Sequence, residues 1–288
     1  MKYIAPIHNL DNIDKLLQLD GFIISNSLFS SRLTLSLSVD EINDVINKLQ
    51  NLKKEVFLSL NMMYIDSDID HLKEFLSKIN TEKLTGIIAS DYGVVQLLID
   101  LGLNQKIVWN GETLSTNAFD FNILSDFNAL GSFVSKEITI ENILEIGKNK
   151  KYNLFIIGHG HLNMFYSKRL LISNFDKKYK LNINPNQKTY KLIENKRDNQ
   201  YFPILQDSHG TYVFRSKVKN SFNYLNKLKE VVDYFIIDSI FKDDRYTKEV
   251  LDLYQNGYDE LRVKSLKEKY DEKWDNGFYD VQTVYIKE

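Results

Sequence analysis

The stretch FIIGHGHLNMFYSKRLLISNF, residues 155–175, concentrates side chains able to do chemistry. His159 and His161 follow an apolar run two residues apart, and Ser167, Lys168 and Arg169 come soon after. On a strand, imidazoles at i and i+2 share one face, as two ligands of a metal would. No carboxylate stands at ligand spacing beside them, so a metal is not expected. The reading preferred for His159 is an imidazole, neutral or switching near neutral pH, at the mouth of a site. Lys168 and Arg169 offer a point charge and a bidentate fork to a phosphate or carboxylate, or else form a solvated turn. Ser167 and Lys168 lack the spacing of a Ser-x-x-Lys nucleophile, and neither a GxSxG elbow nor a phosphate-binding glycine loop is present. With no cysteine, disulfides, thiolate zinc sites, a catalytic thiol and Cys-ligated iron–sulfur clusters are excluded from this chain.

Other candidates stand where apolar runs end: Asn61, Ser90 with Asp91, Asn110 with Glu112, and Lys136 with Glu137. The two glutamates could act as general acid or base. Each of these residues alone could equally cap a helix or be solvated, and Asp91 before YGVVQLL is a good cap. Their shared placement is what gives them weight.

Eight apolar runs suited to buried parallel strands carry these residues: 3–6, 22–25, 56–61, 86–90, 107–110, 132–134, 154–157 and 234–237. Helical patterns follow them at 11–19, 39–52, 68–79, 93–101, 119–127, 140–146, 222–231 and 246–254. Ser38 with Glu41 has capping-box spacing, and Thr139 precedes another helix start. Eight strand–helix pairs predict an α/β (β/α)8 TIM-like barrel, with an open doubly wound sheet as the rival. The rhythm breaks between the seventh strand and its helix. Residues 158–221 are too many for a plain loop and predict an inserted β-rich lobe over the carboxyl end of the barrel, where barrel active sites form. Within it, basic residues interleaved with aromatics around Lys196, Arg197, Tyr201 and Phe202 suit single-stranded RNA or an ordinary hairpin surface. Residues 258–288 read as a helical and aromatic extension, docked by Trp274, Phe278 and Tyr279, so that 1–288 form a single barrel domain.

The 288 residues carry a net charge of −2 and are 43% hydrophobic, an ordinary globular balance without a global basic field. No apolar run is long enough to span a bilayer and no leader-like segment opens the chain, so a cytoplasmic protein without a membrane partner is expected.

The chain resembles the U32 peptidase-like family over nearly its whole length. The matching segments are APIHNLDNIDKLL, RLTLSLSVDEINDVI with Arg32, VFLSLNMM, IIASDYGVVQLL, WNGETLSTNAFD, and VSKEITIENILEI, where Lys136 replaces an arginine and Glu137 is kept. The most specific segment is His159-Gly160 followed by Ser167-Lys168-Arg169. NKRDNQYFPILQDSHGTYVFRSKVKNSF and DNGFYDVQTVY continue the similarity. Cluster-binding relatives carry four cysteines; Asn163, Leu170 and Asn220 lie at or beside positions where relatives place cysteine. The short tRNA-type members are the better resemblance. They imply a subunit of a system that hydroxylates the tRNA wobble uridine at its 5-position, linked to prephenate as co-substrate, with no cofactor in this chain. The implied partners are a longer U32 paralogue and tRNA, held by that paralogue or by this chain. On this view His159 and Glu137 move protons or orient ligand. Lys136, Lys168, Arg169 and Arg197 supply cations for an anion, while Asn61, Glu112 and Asn117 line the pocket. Two alternatives stand beside it: a non-catalytic scaffold for the longer paralogue, and a collagenase-like peptidase, the family's historical label.

Overall fold

A computed structural model describes residues 1–195 and 200–282. Eight parallel strands close into a barrel: β1 (Lys2–Pro6), β2 (Gly21–Ser25), β3 (Glu55–Leu60), β4 (Gly86–Ala89), β5 (Ile107–Trp109), β6 (Gly131–Phe133), β7 (Asn153–Ser167) and β11 (Tyr234–Ile237). Closure is made by β11, which pairs with β7 on one side and β1 on the other, so the barrel and not the open sheet is the architecture. Ile4, Phe57, Ile88, Val108, Phe133, Phe155 and Ile236 fill the interior. The opposite faces of the strands pack on the helices. In α1 (Val39–Asn51) the buried stripe is Ile42, Val45, Ile46 and Leu49, the i, i+3, i+4, i+7 face of an amphipathic helix. Its start is the expected capping box, in which the Ser38 N–H donates to Glu41 Oε2 at 2.8 Å. The outer ring continues with α2 (Asp66–Ser77), α3 (Tyr92–Asp100), α4 (Ala118–Phe121), α5 (Ile140–Lys148), α7 (Leu225–Val231) and α8 (Asp244–Asn256). Asp91 and Thr139 cap α3 and α5 through Gly93 N–H and Asn142 N–H.

Two expected helices are shorter. A single 3-10 segment, Leu10–Lys15, follows β1, and α4 gives way to a 3-10 turn over Ile123–Phe127. Neither has room for more than one or two buried apolar positions, Ile13 in the first and Phe121 with Leu124 in the second, so packing does not extend them.

The lobe is built differently from a loop that departs after residue 157. The seventh strand does not stop there; β7 runs on to Ser167 and pairs antiparallel with β10 (Gly210–Lys219). β9 (Tyr201–Asp207) and β8 (Lys191–Ile193) complete a sheet flanked by α6 (Leu171–Tyr179). The extension forms α9 (Glu260–Lys269) and β12 (Trp274–Asp275), which pairs with β10. Tyr279 is buried on the helix side of the core. Among the described residues no helix is long and apolar enough to cross a membrane.

Two glycines set the geometry of the extended strand. Ile157 pairs with Ile236 and His159 with Ile237, so Gly158 is an extra residue against β11. A Cβ there would enter the Phe235 ring. Gly160 has φ +136°, and a Cβ would meet the Asp238 carbonyl. Gly160→Ala is therefore expected to cost about 3 kcal/mol, with strain and a backbone clash combined, whereas Gly102→Ala, with φ +72° but open space, should cost about 1 kcal/mol. Urea unfolding of the two variants checks the contrast.

Candidate functional site at the barrel mouth

The loops after β2, β3, β5, β6 and β11, with the extension of β7, converge on the carboxyl end of the barrel. Two cavities lie there, of about 110 Å³ and about 220 Å³, sharing Ser31, Arg32, Asn61, Glu112 and Asn163 in their walls. At their boundary is an ion-pair triad. Arg32 Nη2 lies 2.5 Å from Glu112 Oε1, and Lys136 Nζ pairs with Glu112 Oε2. The side chains of Arg32 and Lys136 are only 13% and 6% exposed, so both cations are largely removed from water and depend on one carboxylate. Burial alone would raise the Glu112 carboxyl, but Arg32 and Lys136 outweigh it and hold it down at about 2.

The triad sits on strained backbone. Arg32 and Glu112 have φ of 58° and 59°, the left-handed region that side chains other than glycine rarely occupy. Distant contacts hold them there. The Arg32 N–H donates to Asp207 Oδ2 at 2.9 Å, from the tip of the β9–β10 hairpin. The neighbouring Ser31 N–H donates to Asn61 Oδ1 at 2.9 Å, and Lys188 Nζ donates to the Leu33 carbonyl at 2.5 Å. The lobe therefore clamps the loop that presents Arg32. The guanidinium lies 5.5 Å from the Tyr212 ring centroid. With the Asn163 amide oxygen turned toward it, Nη1 donates there at 3.0 Å.

The floor of the smaller cavity holds Asp238 and His161. Burial pushes the Asp238 carboxyl up despite the Ile240 N–H that it accepts and the nearby Arg32. His161 Nδ1 lies 2.8 Å from the Arg215 carbonyl and Nε2 lies 3.5 Å from Glu272 Oε1. Such an arrangement can bind an anion: two cations share one carboxylate at the mouth, and Asp238 and His161 line the same cavity.

The structure gathers only some of the sequence candidates. Asn61, Glu112 and Lys136 meet at the mouth. Asn117 is an exposed cap of α4, accepting from the N–H groups of Phe119 and Asp120. Glu137 follows Lys136 but lines neither mouth cavity, and its N–H donates to Ser135 Oγ. Lys168 and Arg169 are exposed at the far end of β7. Arg197 lies outside the described residues. His159 is turned away from the mouth. Gly158 is an extra residue against β11 and Gly160 takes a φ of +136°, so the strand is irregular on both sides of His159; His161 and not His159 lines the cavity. The expectation that both rings share a face is thereby overturned.

His159 is fully buried against Tyr246, Tyr254 and Trp274. Its protonation follows from its partners. Tyr246 O–H donates to Glu272 Oε2 at 3.0 Å, so it accepts from His159 Nε2–H at 2.8 Å, and Tyr254 O–H donates to Nδ1 at 3.2 Å. Burial drives the imidazole down to about 3, against the weaker pull of Glu272, so it stays neutral. Sequence reasoning missed Arg32 as a ligand-facing group, although the Arg-Leu of the family resemblance marked it. It also gave His161 no role beyond the metal alternative, although His161 lines the cavity.

A family model described as peptidase family U32 matches residues 18–287. The chain is 24% identical to tRNA hydroxylation protein P2 of Bacillus subtilis, with 92% of each chain covered. It is 20% identical to tRNA hydroxylation protein P of Helicobacter pylori over 86% of its own length, spanning only 61% of that longer relative. The solved structure of a U32 peptidase superposes with a TM-score of 0.52 at 12% identity, covering 83% of this chain and 92% of the other, a likeness of fold. With the barrel, the His-Gly and Ser-Lys-Arg segment and a family match over nearly all its residues, the chain belongs to peptidase family U32.

Proposed function

We propose that this protein is a subunit of a tRNA wobble-uridine 5-hydroxylation system. The observation that carries the reading is the match along 92% of both chains to a relative named for tRNA hydroxylation. The mouth fits it. Arg32 and Lys136 share the single carboxylate of Glu112, which leaves the triad one positive charge in excess and suits an anionic co-substrate such as prephenate. The residues of this chain would bind and orient that anion, while Asp238 and His161 hold or move a proton.

The reading is tested by deleting the gene and measuring wobble uridine hydroxylation by tRNA mass spectrometry. Deletion should abolish the modification, the intact gene should restore it, and Lys136→Met should not. Unchanged modification in the deletion strain would overturn the reading.

One feature favours a second reading, a scaffold for a longer U32 paralogue. Met63, Met164 and Phe165 stand 52%, 42% and 47% exposed on the rim of the outer cavity, an apolar collar of the kind that protein interfaces use. If deletion abolishes modification but Lys136→Met and Glu112→Gln leave it intact, scaffolding is the function.

A further inference from the structure

A cleft of about 940 Å³ separates the β-rich lobe from the C-terminal extension. Among the described residues six lysines line it, Lys188, Lys191, Lys217, Lys242, Lys267 and Lys273, against three carboxylates, Glu268, Asp271 and Glu272. This basic excess stands out in a chain of net charge −2. Two lysines are committed to ion pairs, Lys191 with Asp271 at 3.2 Å and Lys242 with Glu272 at 2.7 Å. Lys217 is only loosely paired, 3.9 Å from Asp275 with its side chain 46% exposed, and Lys273 is exposed. Tyr190, Tyr201, Phe241 and Tyr270 stand among the lysines, and Tyr201 is 48% exposed. Positive charge tracking a cleft, interleaved with aromatic faces, is the chemistry that holds single-stranded nucleic acid, with phosphates on cations and bases on rings. The cleft also adjoins the mouth, because His161 lines both the smaller mouth cavity and the cleft, and Phe241 of the cleft packs edge-on to it with ring centroids 5.6 Å apart.

We infer that this cleft binds single-stranded RNA, an anticodon loop under the reading above on which the choice of RNA rests, and feeds one base past His161 into the mouth. Lys217, Lys267 and Lys273 take phosphates, and Tyr201 stacks a base. This chain therefore touches RNA itself and does not leave that contact to a partner.

The test uses the full-length protein and a labelled anticodon stem-loop, with fluorescence anisotropy at several salt concentrations. The wild type should bind. The Lys217→Glu/Lys273→Glu double variant should bind roughly tenfold more weakly, with the slope of log K against log salt reduced by about 1.4, two single-strand phosphate contacts. Tyr201→Ala should weaken binding by about fivefold with the slope unchanged. Matching thermal melts show that the variants are folded, and Tyr201→Ala tests the cleft without altering its charge. No binding by the wild type, or binding that ignores both variants, overturns the inference. Displacement of the loop by duplex RNA or polyglutamate at equal phosphate or carboxylate concentration would mark a site for anions in general and also overturns it. The outcome is separable from the wobble reading: cleft-dependent RNA binding in a protein whose deletion leaves wobble uridine hydroxylated keeps the cleft and rejects that function.

Discussion

Glu112→Gln is expected to destabilise the protein by about 3 kcal/mol and, under the proposed function, to abolish wobble hydroxylation, because it leaves two largely buried cations facing each other. The loss in stability exceeds that of a surface pair because Arg32 and Lys136 have little water to fall back on. The same group predicts an acid response. The folded carboxyl at about 2 lies below its ordinary value of 4.5, so the unfolded chain binds the extra proton between those values. The contribution is complete above about pH 4.5 and is lost as pH falls toward 2, and the variant lacks it. Urea unfolding of both proteins from pH 6 to pH 3 measures the difference. Equal stability across that range would mean that the triad adds nothing. A glutamine variant that stays folded at low temperature and still supports hydroxylation would remove the triad from function.

The second large effect is expected at His159. His159→Ala should cost about 3 kcal/mol or more, since it opens a cavity beside Trp274 and leaves Tyr246 and Tyr254 without their ring partner. His159→Gln, which can accept and donate, should recover part of that. The pH dependence separates structure from chemistry. The folded imidazole sits at about 3, below its ordinary 6.5, so the unfolded chain takes up a proton first as pH falls. Stability supplied by the neutral ring is present above about pH 6.5 and declines below it, by up to about 1.4 kcal/mol per pH unit. The glutamine variant should lose one proton's worth of that slope between pH 6 and pH 5. Hydroxylation per folded molecule should be unchanged in it. A fully stable variant without activity would return His159 to the chemistry.

Much of the frame was legible in the residues. The strand runs, the Ser38–Glu41 capping box and the caps at Asp91 and Thr139 are short-range features, and each is fixed by side chains within a few positions of one another. So were Asn61, Glu112 and Lys136, because a residue just past a barrel strand points toward the carboxyl end whatever else the chain does. The cleft was not legible: the basic residues that the sequence sets beside Tyr201, Lys196 and Arg197, lie outside the described residues, and the lysines of the lobe and of the extension became neighbours only when β12 paired with β10.

By itself, the sequence determined an eight-stranded α/β barrel, a lobe after the seventh strand and a polar set at the strand ends. Tertiary structure decided which of those residues share a site. Period-two alternation is local, but the extra residue at Gly158 exists only relative to β11, more than seventy residues later, so no pattern within HGH reveals which histidine faces in. Arg32 reaches Glu112 from left-handed backbone that its own neighbours do not favour, held by Asp207 from 175 residues away. Contacts across such separations are set by how the elements pack, and that is where the site was made.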